Sequence, residues 1–228
     1  VLTPAESEAL LLSLRVATES VAFNLPLATL IAWLLVRARF AGRTVLDAFV
    51  HLPLVLPPVV VGYLLLLLLG VHGPIGGWLY AAFGLRLAFT TTGAALATAV
   101  MSLPLMVRAI RLSLESIPAG LEDAARTLGA HAVDRFISIT LPLMAPGILA
   151  GAVTAFAAGL GEFGAVITFA SNIPGETQTL PLALYTALQS PGGDLPAARL
   201  AALSFGLGLA GLVVAEMIAR RLRARLGQ

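Results

Sequence analysis

Cysteine is absent from this 228-residue chain, and so is lysine: all 14 basic residues are arginine. Without Cys there are no disulfides, no thiolate metal sites and no Cys nucleophile. Without Lys there is no ordinary phosphate-binding loop, because that loop needs a Lys after its glycines to reach the phosphates. If ATP drives anything this chain does, another subunit must bind it. Charge is also scarce. Only 11% of the residues are charged, where soluble domains carry about 25%. The 3 histidines, His51, His72 and His131, sit in separate stretches and make no metal site by spacing. No Ser/His/Asp set is legible, so neither a catalytic site nor a cofactor is expected.

What is there is hydrocarbon-loving. Hydrophobic residues make up 58% of the chain, and mean hydropathy is +0.95. Several apolar runs are long enough for a bilayer core, which takes roughly 20 residues. The expected fold class is an all-α integral membrane protein, a single membrane domain over 1–228. The first span is expected at 9–36. No n-region charge precedes it and no cleavage site is evident, so it reads as a retained span and not a signal peptide. Arg15 and Glu19, at i and i+4 within it, are placed to pair.

The second span, 52–69, opens His51-Leu-Pro-Leu-Val-Leu-Pro-Pro58-Val-Val-Val-Gly62. Two readings stand. Either the helix is broken, or the prolines lie in a loop before it. Irregular backbone at membrane depth lines cavities, which makes Pro57, Pro58 and Gly62 pore or gate candidates. A connector with Gly73-Pro74, Trp78 and Tyr80 reads as an interfacial segment. Further spans are expected at 93–110, 141–170 and 197–218. The stretch Leu180–Leu188 is too short to cross. Within 141–170, Gly161, Glu162 and Gly164 are further pore or gate candidates. Glu162 lies about 30 Å along from Pro142 at 1.5 Å per residue. An acid does not suit direct coordination of an oxyanion, and a hydrogen bond to neighbouring backbone is its expected role.

The pI near 9.7 suits nucleic acid, but the arginines mark topology instead. Arg37, Arg39, Arg43, Arg108, Arg111, Arg126, Arg135 and Arg220, Arg221, Arg223 and Arg225 fall on one side of about five spans. Arg86 and Arg199 fall on the other, with Arg15 near it. The heavy side is expected inside, which puts the N-terminus out and the C-terminus in. Glu216 and the terminal arginines read as an interface anchor or a site for anionic lipid. No inverted repeat is visible.

One soluble island interrupts the spans, at 113–140. Ser116 before Ile117-Pro118 reads as a helix N-cap, and Gly129 as its stop. A helix of about 11 residues, about 16 Å long, follows. Leu121, Ala124, Ala125 and Leu128 share one of its faces. That face either lies on the protein's own bundle or receives a partner. A second short helix is expected at 132–140.

Asp123-Ala124-Ala125, then Gly129, Ile139 and Leu141-Pro142 resemble, at matching spacing, the EAA loop of importer-type ABC permeases. Asp123 stands where that family usually has Glu, and it keeps the charge. The proline-rich stretch at 51–62, Pro104–Arg111, Gly161-Glu-Phe-Gly164 and Ser171–Glu176 resemble the molybdate permeases of that family, with sulfate and thiosulfate permeases as near relatives. The resemblance implies the importer-type ABC permease fold (MetI-like). It implies a homodimer, a cytoplasmic ATPase dimer and an extracytoplasmic oxyanion-binding protein as partners, with membrane lipid around the chain. It further implies that Glu122, Asp123, Ala124, Ala125, Leu128, Gly129, Ile139, Leu141 and Pro142 couple the ATPase to the pore. The expected function is import of molybdate by alternating access; tungstate or sulfate is the alternative cargo. A stand-alone transporter would need a relay of intramembrane acids, and Glu162 is nearly alone.

Overall fold

The computed structural model describes residues 2–225, with side chains at all of these except 119, 215, 216 and 218–225. Glu216 and the terminal arginines, read above as an anchor, therefore lie outside the described side chains. The first helix, α1, runs Pro4–Arg37. It starts earlier than the expected span because Thr3 and Glu6 form a capping box: Glu6 Oε2 accepts from Thr3 N at 2.7 Å, and Thr3 Oγ1 from Glu6 N at 3.3 Å. Arg15 and Glu19 pair as their spacing predicts, at 2.7 Å.

The second span is bent. Helix α2 (Arg43–His51) continues into a single 3-10 turn, Leu52–Leu54. Helix α3 starts afresh at Pro58 and ends at Leu69. The two halves meet at 114°. Pro53 and Pro57 thus precede the apolar helix, and Pro58 occupies its first turn, where a missing N–H costs nothing. Arg111 clamps α2 to the bundle. It meets Asp47 at 3.0 Å and Glu115 at 2.8 Å. The connector folds as α4, Pro74–Phe83, and α5 follows at Thr91–Glu115.

The island helix, α6, spans Ala119–Thr127. The next helix corrects two expectations. Ala132–Thr140 is no separate element: α7 (Ala132–Arg135) passes through a π turn (Phe136–Thr140) into α8 (Leu141–Leu160). Leu141 N–H bonds back to the Phe136 carbonyl. Pro142 has no N–H, and its ring crowds the carbonyl four residues back. The widened turn absorbs that defect without ending the helix. The continuous stretch Ala132–Leu160 is 29 residues long. Nor is 141–170 a single span. The helix stops at Leu160, and a new short helix, α9, occupies Gly164–Phe169. Gly161 and Gly164 lower helix propensity at that break.

Helix α10 covers Leu180–Leu188, and α11 covers Asp194–Arg225. Among the described residues, 4 helices are long and apolar enough to cross a membrane, or up to 5 if the bent pair counts as one span. Helices α1, α5 and α8 form the centre. Their contacts are built from small residues, which let backbones approach. A Cβ on Gly151 would sit 3.1 Å from Met106, and one on Gly159 would sit 2.9 Å from Thr98 Cγ2. Buried Asn24 locks α1 to α5: its Nδ2 donates to the Ala99 carbonyl at 2.9 Å and to Ser102 Oγ at 3.1 Å. One apolar cluster joins Ile31, Leu35, Met106, Ile110 and Met144; a second joins Val16, Ala94, Val166, Phe169 and Leu182. Helix α10 hangs on α1 through Leu180 N–H to Ser13 Oγ, 2.7 Å. Arg199 on α11 reaches Glu6 at 2.9 Å. The outer faces of α3 and α11 show Tyr63, Leu67, Phe205 and Leu212 to the surroundings. Such faces suit lipid, where backbone polar groups must be satisfied within the helices.

Candidate functional site

The island helix exposes apolar residues together with Asp123 and Arg126, and turns Glu122 inward. Leu121 is 46% exposed and Leu128 87% exposed. Ala124 is exposed beside them, and Ala125 is half-buried. The shared face predicted from periodicity therefore points away from the bundle. Asp123 is also outward, with Arg126 at 3.6 Å; both side chains are about two-thirds exposed (67% and 68%), so this pair is worth little. Glu122 faces the other way. Its Oε1 meets Arg37 Nη2 at 3.0 Å and accepts from Thr140 Oγ1 at 2.9 Å.

The two ends of α6 follow different rules. Ser116 is not its N-cap, contrary to the sequence reading. The Ser116 hydroxyl donates to the Ser113 carbonyl at 2.7 Å, closing α5 instead. Pro118 takes the cap position and supplies no side-chain bond. The C-terminus is as predicted. Gly129 has φ +86°. Ala130 N–H bonds to the Ala125 carbonyl (3.0 Å) and Gly129 N–H to the Arg126 carbonyl (3.1 Å). These are the two bonds of a Schellman stop. The chain then turns into α7. Ile139 is half-buried in the π turn and Pro142 is exposed. Leu141 packs on the central apolar cluster beside Phe136. The coupling candidates thus divide three ways: Asp123, Ala124, Leu128 and Gly129 outward, Glu122 inward with Ala125 half-buried, and Ile139, Leu141 and Pro142 where the helix joins the bundle.

Four pore candidates meet at one crossing. Helix α3 packs on α9 through two glycines. A Cβ on Gly62 would lie 2.6 Å from the Ala165 carbonyl oxygen. One on Gly164 would lie 2.7 Å from Pro58 Cβ. Glu162 anchors the same spot: its Oε1 accepts from Ala165 N at 2.9 Å. That is the backbone hydrogen bond expected of it. It satisfies one of the free N–H groups that open α9. Pro57 precedes the crossing, its carbonyl accepting from Val60 and Val61. Gly161 is exposed and stands apart, with only the Ala158 carbonyl near, at 3.8 Å. The crossing joins the starts of two short helices, each beside a break in a longer apolar run.

Sequence reasoning missed Arg37 and Thr140. Arg37 read only as a topology marker, and nothing local in the sequence pairs it with Glu122. Thr140 is buried, which its place next to the expected membrane boundary did not indicate.

Residues 24–224 match the family described as binding-protein-dependent transport system inner membrane component. Over 228 residues, 100% of both chains, the sequence is 57% identical to the molybdenum transport system permease protein ModB of Escherichia coli K12. The sulfate transport system permease protein CysT of the same organism is 42% identical over 176 residues, covering 77% of this chain and 62% of that one. Among solved structures, a bacterial alginate ABC transporter in complex with its pentasaccharide-bound periplasmic protein has a chain that superposes with TM-score 0.76 at 19% identity, covering 96% of this chain and 80% of the other. A chain of the MetNI methionine ABC transporter, in inward-facing conformations, gives TM-score 0.68 at 15% identity, covering 96% and 94%. At those identities the likeness concerns the fold.

Proposed function

The chain belongs to the binding-protein-dependent transport system inner membrane components, and from that premise we propose that it is the membrane-spanning permease of an ATP-driven importer of molybdate. The observation that carries the reading is the polarity of α6. A helix lying on its own bundle would turn its apolar residues inward. Here Leu121 and Leu128 face out and Glu122 faces in. An exposed apolar face next to small residues suits a partner that comes close to the helix backbone. We assign that partner as a cytoplasmic ATPase, with Asp123, Ala124, Ala125, Leu128 and Gly129 at the contact. Binding and release of ATP move α6, and α7–α8 move with it through the backbone.

The pathway runs between two copies of the chain, beside the crossing of α3 and α9. Pro58, Gly62 and Gly164 set the angle of that crossing, and Glu162 holds the start of α9. The single permease domain covers 1–228, with the N-terminus outside and the island and C-terminus inside, as the arginine balance supports. Among the described residues no buried basic cluster lies along the spans, and we assign recognition of the oxyanion to an extracytoplasmic binding protein. Full-length likeness to molybdenum permeases supports molybdate over sulfate, whose permease matches over a shorter stretch. A self-sufficient transporter is disfavoured because it would need a relay of intramembrane acids, and Glu162 is nearly alone.

The test pairs the chain with its ATPase and a molybdate-binding protein in nanodiscs. ATP hydrolysis should rise when the binding protein is loaded with molybdate and stay low with sulfate. Equal stimulation by both anions would overturn the cargo assignment. Failure of the ATPase to bind the chain would overturn the permease reading.

A further inference from the structure

We propose that Arg37, Glu122 and Thr140 form the linkage that carries movement of α6 into the first helix. The proposal rests on the reading of α6 as the ATPase contact. It concerns residues on the bundle side of that helix, none of which faces the partner. Helix α6 is loosely attached. Its apolar residues are exposed, and the Asp123–Arg126 pair is internal to it. Among the described residues, its ion pairs and side-chain hydrogen bonds to other elements all run through Glu122. The backbone carries a pull on α6 into α5 at one end and into α7–α8 at the other. Helix α1 lies on neither route. Packing and Asn24 join it to α5 and α8, and the side chain of Arg37 joins it to α6 itself.

The contact between Arg37 and Glu122 is a charge pair that the two helix ends favour. Arg37 stands in the last turn of α1 and Glu122 in the first turn of α6. A cation at a helix C-terminus and an anion at an N-terminus are each stabilised by the helix dipole. The two helix ends therefore favour these charges before the charges meet. Their side chains are only 20% and 26% exposed, which limits screening by water. Thr140, itself buried, adds its hydroxyl to the same Glu122 oxygen and brings the π turn into the joint.

The joint borders a space into which these helices can move. A cavity of about 490 Å³ is lined by Pro26, Trp33, Glu122, Phe136 and Thr140, among others. Pro26 interrupts the hydrogen-bond ladder of α1 on one side. The π turn interrupts that of α7–α8 on the other. Two compliant points thus face one cavity, and Glu122 joins the helices that carry them. A displacement of α6 bends α1 about Pro26 and rewinds the π turn, so one stroke moves both walls.

The experiment uses the complete importer in proteoliposomes, reading ATP hydrolysis and anion uptake together. In R37Q and E122Q the ATPase should stay bound and hydrolysis should stay near wild type, while uptake per ATP falls about tenfold. T140V should lose several-fold less. Because the native chain has no Cys, an R37C/E122C pair bridged by a short bis-maleimide supplies a covalent version of the joint. Bridging should raise uptake per ATP above that of the unbridged pair. Three results would overturn the linkage: wild-type uptake per ATP in both single variants, loss of ATPase binding in them, or a bridged pair no better coupled than the unbridged one. If the unaltered chain neither binds the ATPase nor imports anion, the reading of function fails instead.

Discussion

Replacing Gly129 with Val isolates the stop of the island helix from everything else in the chain. The residue has φ +86° and a Cβ there would meet nothing within 4 Å. Packing therefore contributes no penalty, and the effect is confined to the backbone. A side chain in the left-handed region costs about 1–2 kcal/mol, and β-branching puts Val at the upper end. The alternative for the chain is to abandon the turn. That forfeits the bonds from Ala130 and Gly129 N–H to Ala125 and Arg126, about 1–2 kcal/mol for two net hydrogen bonds. Either way the native turn loses roughly tenfold in population against its alternatives, since 1.4 kcal/mol is a factor of ten. The bundle should not notice, because the turn is exposed and Leu128 before it is 87% exposed. The assay is ATP-driven molybdate uptake in the assembled importer, with thermal unfolding of the purified chain as the control. G129V should lower uptake, by up to about tenfold, at unchanged unfolding temperature. G129N, which tolerates the left-handed region, should recover much of it. G120A in the same helix, at an ordinary φ and with open space around it, should be neutral or slightly stabilising. Wild-type uptake in G129V, or equal damage from G120A, would refute the reasoning.

Substitutions at three other sites, with one control, probe the membrane half. G62A places a methyl group 2.6 Å from the Ala165 carbonyl. It should destabilise the α3–α9 crossing by about 1–3 kcal/mol, read as a lower unfolding temperature in detergent. G208A on α11, with nothing within 4 Å, should not. E162Q keeps an oxygen for the Ala165 N–H and should transport like wild type, whereas E162A loses it and should transport poorly. Abolished uptake in E162Q would reveal an acid–base role. N24A removes both bonds between α1 and α5, a loss of about 1–2 kcal/mol, to be read in the same unfolding assay.

Much of this architecture was legible along the chain because its cause is local. Span length follows from apolar runs, so α1, α5 and α11 lie where hydropathy puts them, and Leu180–Leu188 is short in the structure as in the sequence. Gly129 was legible because few residues other than Gly end a helix that way. The proline signals were ambiguous for a physical reason. Pro58 starts a helix while Pro142 sits inside one, and the difference lies in whether a π turn upstream takes up the strain. Ser116 failed as a cap because α6 starts only at Ala119, which leaves Pro118 in the cap position and Ser116 closing the preceding helix. The Arg37–Glu122–Thr140 joint was beyond sequence reasoning altogether. Its members lie on three elements far apart in the chain, and only their packing brings one carboxylate oxygen between a guanidinium and a hydroxyl.

The central claim is that this chain is a pore worked by an external motor. It is tested most directly by molybdate uptake into proteoliposomes holding the chain with and without its ATPase, in the presence of the loaded binding protein. The account predicts uptake only when ATPase, ATP and binding protein are all present. Uptake by the chain alone, driven by an ion gradient, would contradict it.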